Sequence, residues 1–335
     1  MYHNPDGRMI PSAGLSGMAR PMYRLRMHVR TPLILSPAMT ALVKRPVYLK
    51  LENTQPTASF KLRGIGRLCA GAAAAGSRLF VSSSGGNAGW AAAYAARLLQ
   101  CRAIVVVPET TDERMRGLIA GEGAEVIVHG AVWADADQRA RAIVSEKQGT
   151  YVPPFDHPEI WAGNSTMIDE IADEIPAPGC IVLSVGGGGL LAGVLDGLSR
   201  QGWRGCRVLA AETEGAASLT AAFQAGNPVT LPRVNTVARN LGAPRVAQGA
   251  FERAQAWGVR ARVVSDGAAV RACRRFLDDQ RMLVEPACGA ALATVYDGAT
   301  DFADAASVVV IVCGGAAITY DELQRYCTQL LDSSS

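Results

Sequence analysis

The stretch "CIVLSVGGGGLLAGVLDGLSR", Cys180 to Arg200, reads as a buried strand, four consecutive glycines and a helix. A strand apolar at nearly every position is covered on both faces, which calls for parallel neighbours with helices above and below. The same unit recurs along the chain. "LFVSS" runs through "SGGNAG" into the helical "WAAAYAARLLQ". "AIVVVPE" (Ala103 to Glu109) and "AEVIVHG" (Ala124 to Gly130) are further buried strands, and "RVLAAE" (Arg207 to Glu212) and "SVVVIVCGG" (Ser307 to Gly315) repeat the pattern. Strands alternating with Ala-rich helices specify an α/β fold of mostly parallel sheets flanked by helices.

A chain of 335 residues has room for two lobes. The proline-rich "YVPPFDHPEIWAG" (Tyr151 to Gly163) breaks the rhythm and is the expected crossing between them. The expected division is a large catalytic domain from 28–60 and 153–335, and a small domain, 61–152, that closes over substrate. Residues 1–27, with five methionines and a single acid, Asp6, are expected to be a poorly ordered extension or the product of an early start codon, with a transit peptide as the alternative. Net charge is only +3 and the basic residues are interspersed with acids, which argues against a nucleic-acid or membrane partner. No apolar run reaches membrane-spanning length. Eight cysteines without a CxxC pair suggest reduced thiols and a cytoplasmic setting. Four histidines at no ligand spacing argue against a zinc site.

In open α/β sheets, ligands bind beyond the carboxyl ends of strands. Three strands here end in loops of unusual chemistry. Gly186 to Gly189 offer bare backbone N–H groups at a helix start, which suits a phosphate. The same loop, read as Gly187-x-Gly189-x-x-Ala192 with Glu212 ending the next strand, also meets the dinucleotide pattern. On this loop alone an NAD-linked oxidoreductase competes, whereas a Walker-type ATP site does not. Ser84, Gly85, Gly86, Asn87 and Ala88 are equipped for a carboxylate, and Asn87 for a ring oxygen, although a plain Ser/Asn cap uses the same residues. Cys313 ends an apolar strand, where a thiol is ordinarily packing. Lys61, in "QPTASFKLRGIG" (Gln55 to Gly66), would by itself be a lysine snorkelling to water. Taken together, the lysine and the three loops call for an aldehyde, a phosphate and a ring nitrogen beside an amino-acid carboxylate. Pyridoxal phosphate with an amino acid supplies all four.

"ASFKLRG", "SSGGNAG", "SVGGGGLLAG", "VEPACGAALA" and "VIVCGG", in this order, resemble the pyridoxal-phosphate enzymes of the tryptophan-synthase-β fold, fold type II. Within it they look most like the L-serine dehydratase/L-threonine deaminase branch, which "PPFDHPEIWAGNST" and "AAETEGAAS" also fit. The resemblance runs from His28 to the last strand. It implies that Lys61 forms the internal Schiff base with Phe60 packed near the ring. Gly186, Gly187, Gly188, Gly189 and Leu190 would hold the phosphate, Asn87 would meet the phenolic oxygen, and Cys313 would face the pyridine nitrogen. Ser84, Gly85, Gly86, Asn87 and Ala88 would bind the substrate carboxylate. Glu212, Ala216 and Ser218 correspond to a segment where the family binds a monovalent cation, K⁺. A homodimer is implied as well.

The reaction so implied is dehydration. Lys61 removes the Cα proton and the β-hydroxyl leaves, taking L-serine to pyruvate and ammonia and L-threonine to 2-oxobutyrate and ammonia. A thiol at Cys313 does not enforce a protonated ring nitrogen as a carboxylate would, which favours elimination over transamination. Gly85 stands where related serine racemases carry a serine, so racemisation is not expected. Another β-elimination or replacement, on cysteine for example, is the alternative within the fold. Glu285 and Cys288 in "VEPACGA" are expected to be mainly structural, ahead of a helix that starts after Pro286, with a contact to the substrate domain as the alternative. No side-chain acid for the leaving hydroxyl is evident, and no C-terminal feedback module is expected.

Overall fold

The computed structural model describes residues 27–298 and 302–331. The extension expected over 1–27 therefore lies, Met27 apart, outside the described residues. The strands in chain order are β1 (Leu33–Leu35), β2 (Val47–Lys50), β3 (Leu79–Ser82), β4 (Arg102–Val107), β5 (Glu125–Val128), β6 (Thr150–Tyr151), β7 (Cys180–Ser184), β8 (Arg207–Thr213), β9 (Arg260–Val264) and β10 (Val308–Ile311). They form a six-stranded sheet, β1-β2-β10-β7-β8-β9, and a four-stranded one, β5-β4-β3-β6. Every pairing is parallel except β1 on β2, where Leu33 lies opposite Lys50. The central strands β7 and β10 are buried along their whole length, as their unbroken apolar sequence requires.

Helices α1 (Pro37–Val43), α6 (Pro158–Ala172), α7 (Gly189–Arg200), α8 (Ser218–Ala225), α9 (Gln248–Trp257), α10 (Asp266–Gln280), α11 (Pro286–Asp297) and α12 (Tyr320–Leu330) accompany the larger sheet. Helix α11 is buried from Pro286 to Tyr296, which is why its sequence is apolar on all sides instead of along one stripe. Helices α2 (Lys61–Ala74), α3 (Asn87–Leu98), α4 (Glu113–Gly121) and α5 (Trp133–Lys147) surround the smaller sheet. There Leu62, Ile65 and Leu68 of α2 meet Ala91, Ala92, Ala95 and Ala96 of α3 in a core of small side chains. Among the described residues no helix is long and apolar enough to cross a membrane.

The start of α2 is pinned from outside its own sheet. Arg63 Nε bonds Glu52 Oε2 at 2.7 Å, and its Nη2 bonds Glu170 Oε2 at 2.7 Å. Lys50 Nζ reaches the same Glu170 oxygen at 2.6 Å, and Thr31 donates to Glu52 at 2.7 Å. The side chains of Lys50, Glu52 and Arg63 are all 0% exposed. Burying three charges costs several kcal/mol per ion unless each is paired and hydrogen-bonded, and here they are. The network ties α2 to β2 and to α6, two residues beyond Lys61.

Candidate active site

A cavity of about 510 Å³ opens where the carboxyl ends of β3, β7 and β10 converge, and Lys61, Asn87, the four glycines and Cys313 all line it. Lys61 is the first residue of α2. Its Nζ donates to the carbonyl of Pro154, in the crossing segment, at 2.5 Å. The ring centroids of Phe60 and Phe155 lie 5.3 and 5.9 Å from it. The side chain opens on the cavity, but its ammonium end is enclosed by protein. Burial brings its pKa down to about 8, with Cys313 and Glu285 acting weakly the other way. Lys61 is thus not a snorkelling lysine; its amine is neutral for part of the time near physiological pH.

The glycine loop stands at the amino end of α7. Gly188 precedes the helix with φ +91°, a left-handed conformation, and no side chain caps the first turn. The first N–H groups of α7 therefore remain free for a ligand. A Cβ on Gly187 would come within 2.4 Å of the Phe155 ring, so only glycine lets that ring close over the loop. An uncapped helix start at the end of a cavity, with bare backbone around it, fits a phosphate.

Ser84, Asn87 and Ala88 face the cavity from the other side, whereas Gly85 and Gly86 are not among its walls. These two glycines shape the loop: Gly86 precedes α3 without a side-chain cap, and its N–H donates to Ser84 Oγ at 3.3 Å. The loop is held from behind, because Ser83 donates to Asp137 at 2.8 Å and the Tyr151 hydroxyl donates to the same carboxylate. Asn87 is 3% exposed, and its Oδ1 has no hydrogen-bond partner. A buried amide oxygen without a partner beside a cavity is the mark of a site shaped for a ligand.

Cys313 is buried at the end of β10, and its carbonyl accepts from Phe60 N at 3.0 Å. The neighbouring thiol of Cys288, followed by burial, holds the Cys313 thiol well above its ordinary pKa. It is a neutral group at physiological pH. Cys288, expected to be structural, adds to burial in raising it.

Glu285, read from the sequence as mainly structural, with a contact to the substrate domain as the alternative, lines the site. It is 2% exposed and lines the cavity. Its Oε1 accepts from Asn87 Nδ2 at 3.0 Å and Asn240 Nδ2 at 2.8 Å, and its Oε2 from Ala317 N at 2.9 Å. Burial raises its pKa against the pull of those donors. The available signal was an acid set between Val284 and Pro286 in an apolar run, since a buried carboxylate needs partners that someone must name.

Glu212, Ala216 and Ser218 lie outside the cavity, behind the glycine loop. Glu212 is fully buried; Leu219 N donates to one of its oxygens at 2.7 Å, and Thr220 N and Oγ1 donate to the other at 2.9 and 2.7 Å. With both oxygens turned to the start of α8, it does not face a ribose in the cavity. Ala216 ends a short helical turn, and Ser218 Oγ donates to the carbonyl of Gly186 at 3.4 Å. Among the described residues no group of three or more His, Cys, Asp or Glu is placed to hold a metal ion.

A lysine of lowered pKa, an uncapped glycine-lined helix start and a neutral buried thiol around one cavity fit pyridoxal phosphate. The chain belongs to the family of pyridoxal-phosphate dependent enzymes, whose match covers residues 25–314. It is 48% identical over 312 residues to human "Serine dehydratase-like", covering 90% of this chain and 95% of that protein. It is 45% identical over 314 residues to mouse "L-serine dehydratase/L-threonine deaminase", covering 91% and 96%. The crystal structure of a fungal L-serine ammonia-lyase from Rhizomucor miehei superposes with a TM-score of 0.87 at 37% identity, over 91% of this chain and 99% of that one. The NAD-linked reading of the glycine loop is set aside.

Proposed function

We propose that this protein is an L-serine ammonia-lyase that converts L-serine to pyruvate and ammonia and acts on L-threonine to give 2-oxobutyrate and ammonia. The observation that carries the reading is Lys61: an enclosed amine with its pKa near 8, flanked by Phe60 and Phe155, at the meeting point of the three loops. The N–H groups of Gly186 to Leu190 would hold the cofactor phosphate and Asn87 its phenolic oxygen. Ser84, Asn87 and Ala88 would hold the substrate carboxylate at the start of α3, on a loop that Gly85 and Gly86 shape. When bound, pyridoxal phosphate supplies a sink for the electrons freed at Cα. Lys61 Nζ would hold the cofactor aldehyde and, as a free amine, take the Cα proton; a pKa of about 8 would let it both accept and return that proton. Cys313, a neutral thiol, would not enforce a proton on the ring nitrogen as a carboxylate would, which would favour elimination of the β-hydroxyl.

In this reading residues 61–152 close over the substrate. Arg114 supports it, since its Nη2 donates to the carbonyl of Ala316, in the loop after β10, at 2.6 Å. A monovalent cation at Glu212, Ala216 and Ser218 would brace the glycine loop through Gly186. A homodimer and a reducing, cytoplasmic setting complete the proposal; all eight cysteines are free thiols.

The test is release of 2-oxo acid from L-serine and L-threonine with pyridoxal phosphate, in K⁺ and in Na⁺ buffer, without NAD. Prompt product from L-serine, faster in K⁺, is expected. Bound cofactor with no product from either amino acid would overturn the assignment and point to another β-substituted amino acid such as cysteine.

A further inference from the structure

Glu285 stands immediately before Pro286 at the start of α11, and its side chain makes no bond to the first turn of that helix. Both its oxygens turn away, to Asn87 on the smaller body, to Asn240 in the short turn Arg239–Leu241, and to Ala317 N. Helix capping therefore does not account for burying this charge.

The hydrogen-bond chemistry of the pair does. A carboxylate only accepts, so Asn87 must present its NH₂ to Glu285. That contact takes one of the two N–H groups and fixes which way the amide is turned. The other orientation would set Asn87 Oδ1 against Oε1 of Glu285, two buried acceptors with no proton between them. The amide that lines the cavity is thus held in one of its two orientations by a residue 198 positions away.

We infer that Glu285 is a positioning residue for the cofactor: it locks the Asn87 amide so that a donor, its second N–H, is kept for the phenolic oxygen of the ring. Asn240 and Ala317 hold the carboxylate in the pose that does this. The inference rests on the reading of Asn87 as the ring's partner.

The test is a double-mutant cycle on the full chain with Glu285→Gln and Asn87→Ala. It is read by the dissociation constant of pyridoxal phosphate and by the visible absorption band of the bound cofactor. Loss of a charged partner to a buried amide costs about tenfold in binding. Glu285→Gln is expected to weaken cofactor binding by about that factor and to move the band toward that of Asn87→Ala. In the Asn87→Ala background the same change should alter binding less than twofold, because the two act as a unit. Asn240→Ala removes a neutral tether and leaves Glu285 charged; it should give a smaller loss of the same sign, and it keeps the test decisive if Glu285→Gln folds poorly. Additive losses, or a lower thermal midpoint with band and affinity unchanged, overturn the role of Glu285. An Asn87→Ala protein with wild-type band and affinity overturns the reading of Asn87, and this inference with it.

Discussion

Lys61 is a lysine made reactive by where its amine ends up, between two aromatic rings and a carbonyl oxygen. Replacing it with alanine should lower turnover by at least about 10³-fold and abolish the cofactor's visible band, as loss of a combined nucleophile and general base requires. Its folded pKa of about 8 lies below the ordinary 10.5. The folded protein thus sheds this proton earlier than the unfolded chain does. In cofactor-free protein the penalty for the buried ammonium is full below pH 8 and fades as pH rises from 8 toward 10.5. Denaturation of Lys61→Met beside wild type should show the variant's stability advantage shrinking across that window, and the rate of cofactor uptake by wild type should rise through pH 8. Gly85 illustrates the opposite constraint, a side chain that must be absent. A Cβ there would meet Thr111 Oγ1 at 2.3 Å. Gly85→Ser should lose about tenfold in dehydratase rate through overpacking, recover with Thr111→Ala, and show no racemisation of L-serine by chiral chromatography.

At the scale of elements, α2 matters because it carries Lys61, and Arg63 decides where α2 begins. Arg63→Met would leave Glu52 buried with no cation, which should destabilise the fold by about 3–5 kcal/mol in urea denaturation. The same network sets an acid limit. Arg63 and Lys50 overcome the cost of burial and hold the Glu170 carboxyl down at about 2, against an ordinary 4.5. Its contribution to stability is complete above pH 4.5 and is lost as pH falls toward 2. Strand and helix identities were readable because unbroken apolar runs and Ala-rich helices each have one stable way to be buried. The antiparallel β1 and the four-part ion network were not, since Arg63 and Glu170 are 107 residues apart and nothing local in either names the other.

Across the whole molecule, Arg114 to Ala316 and Asn87 to Glu285 are polar links at the cavity that reach from one body to the other. Arg114→Ala should raise KM for L-serine by about tenfold with little change in kcat, the loss of one charge-assisted hydrogen bond that favours closure. Steady-state kinetics measures this directly, and limited proteolysis should show the variant cut sooner. By itself the sequence determined the parallel α/β architecture and the positions of the lysine and the three loops, because turn glycines and burial periodicity are local properties. It also contained the glutamate, but not its purpose. Only the tertiary structure decided that Glu285 faces Asn87, that Cys288 adds to burial in raising the Cys313 thiol, and that Glu212 turns to α8 and not to the cavity. A buried polar group takes its meaning from its partners, and those partners are brought to it by the fold of distant segments.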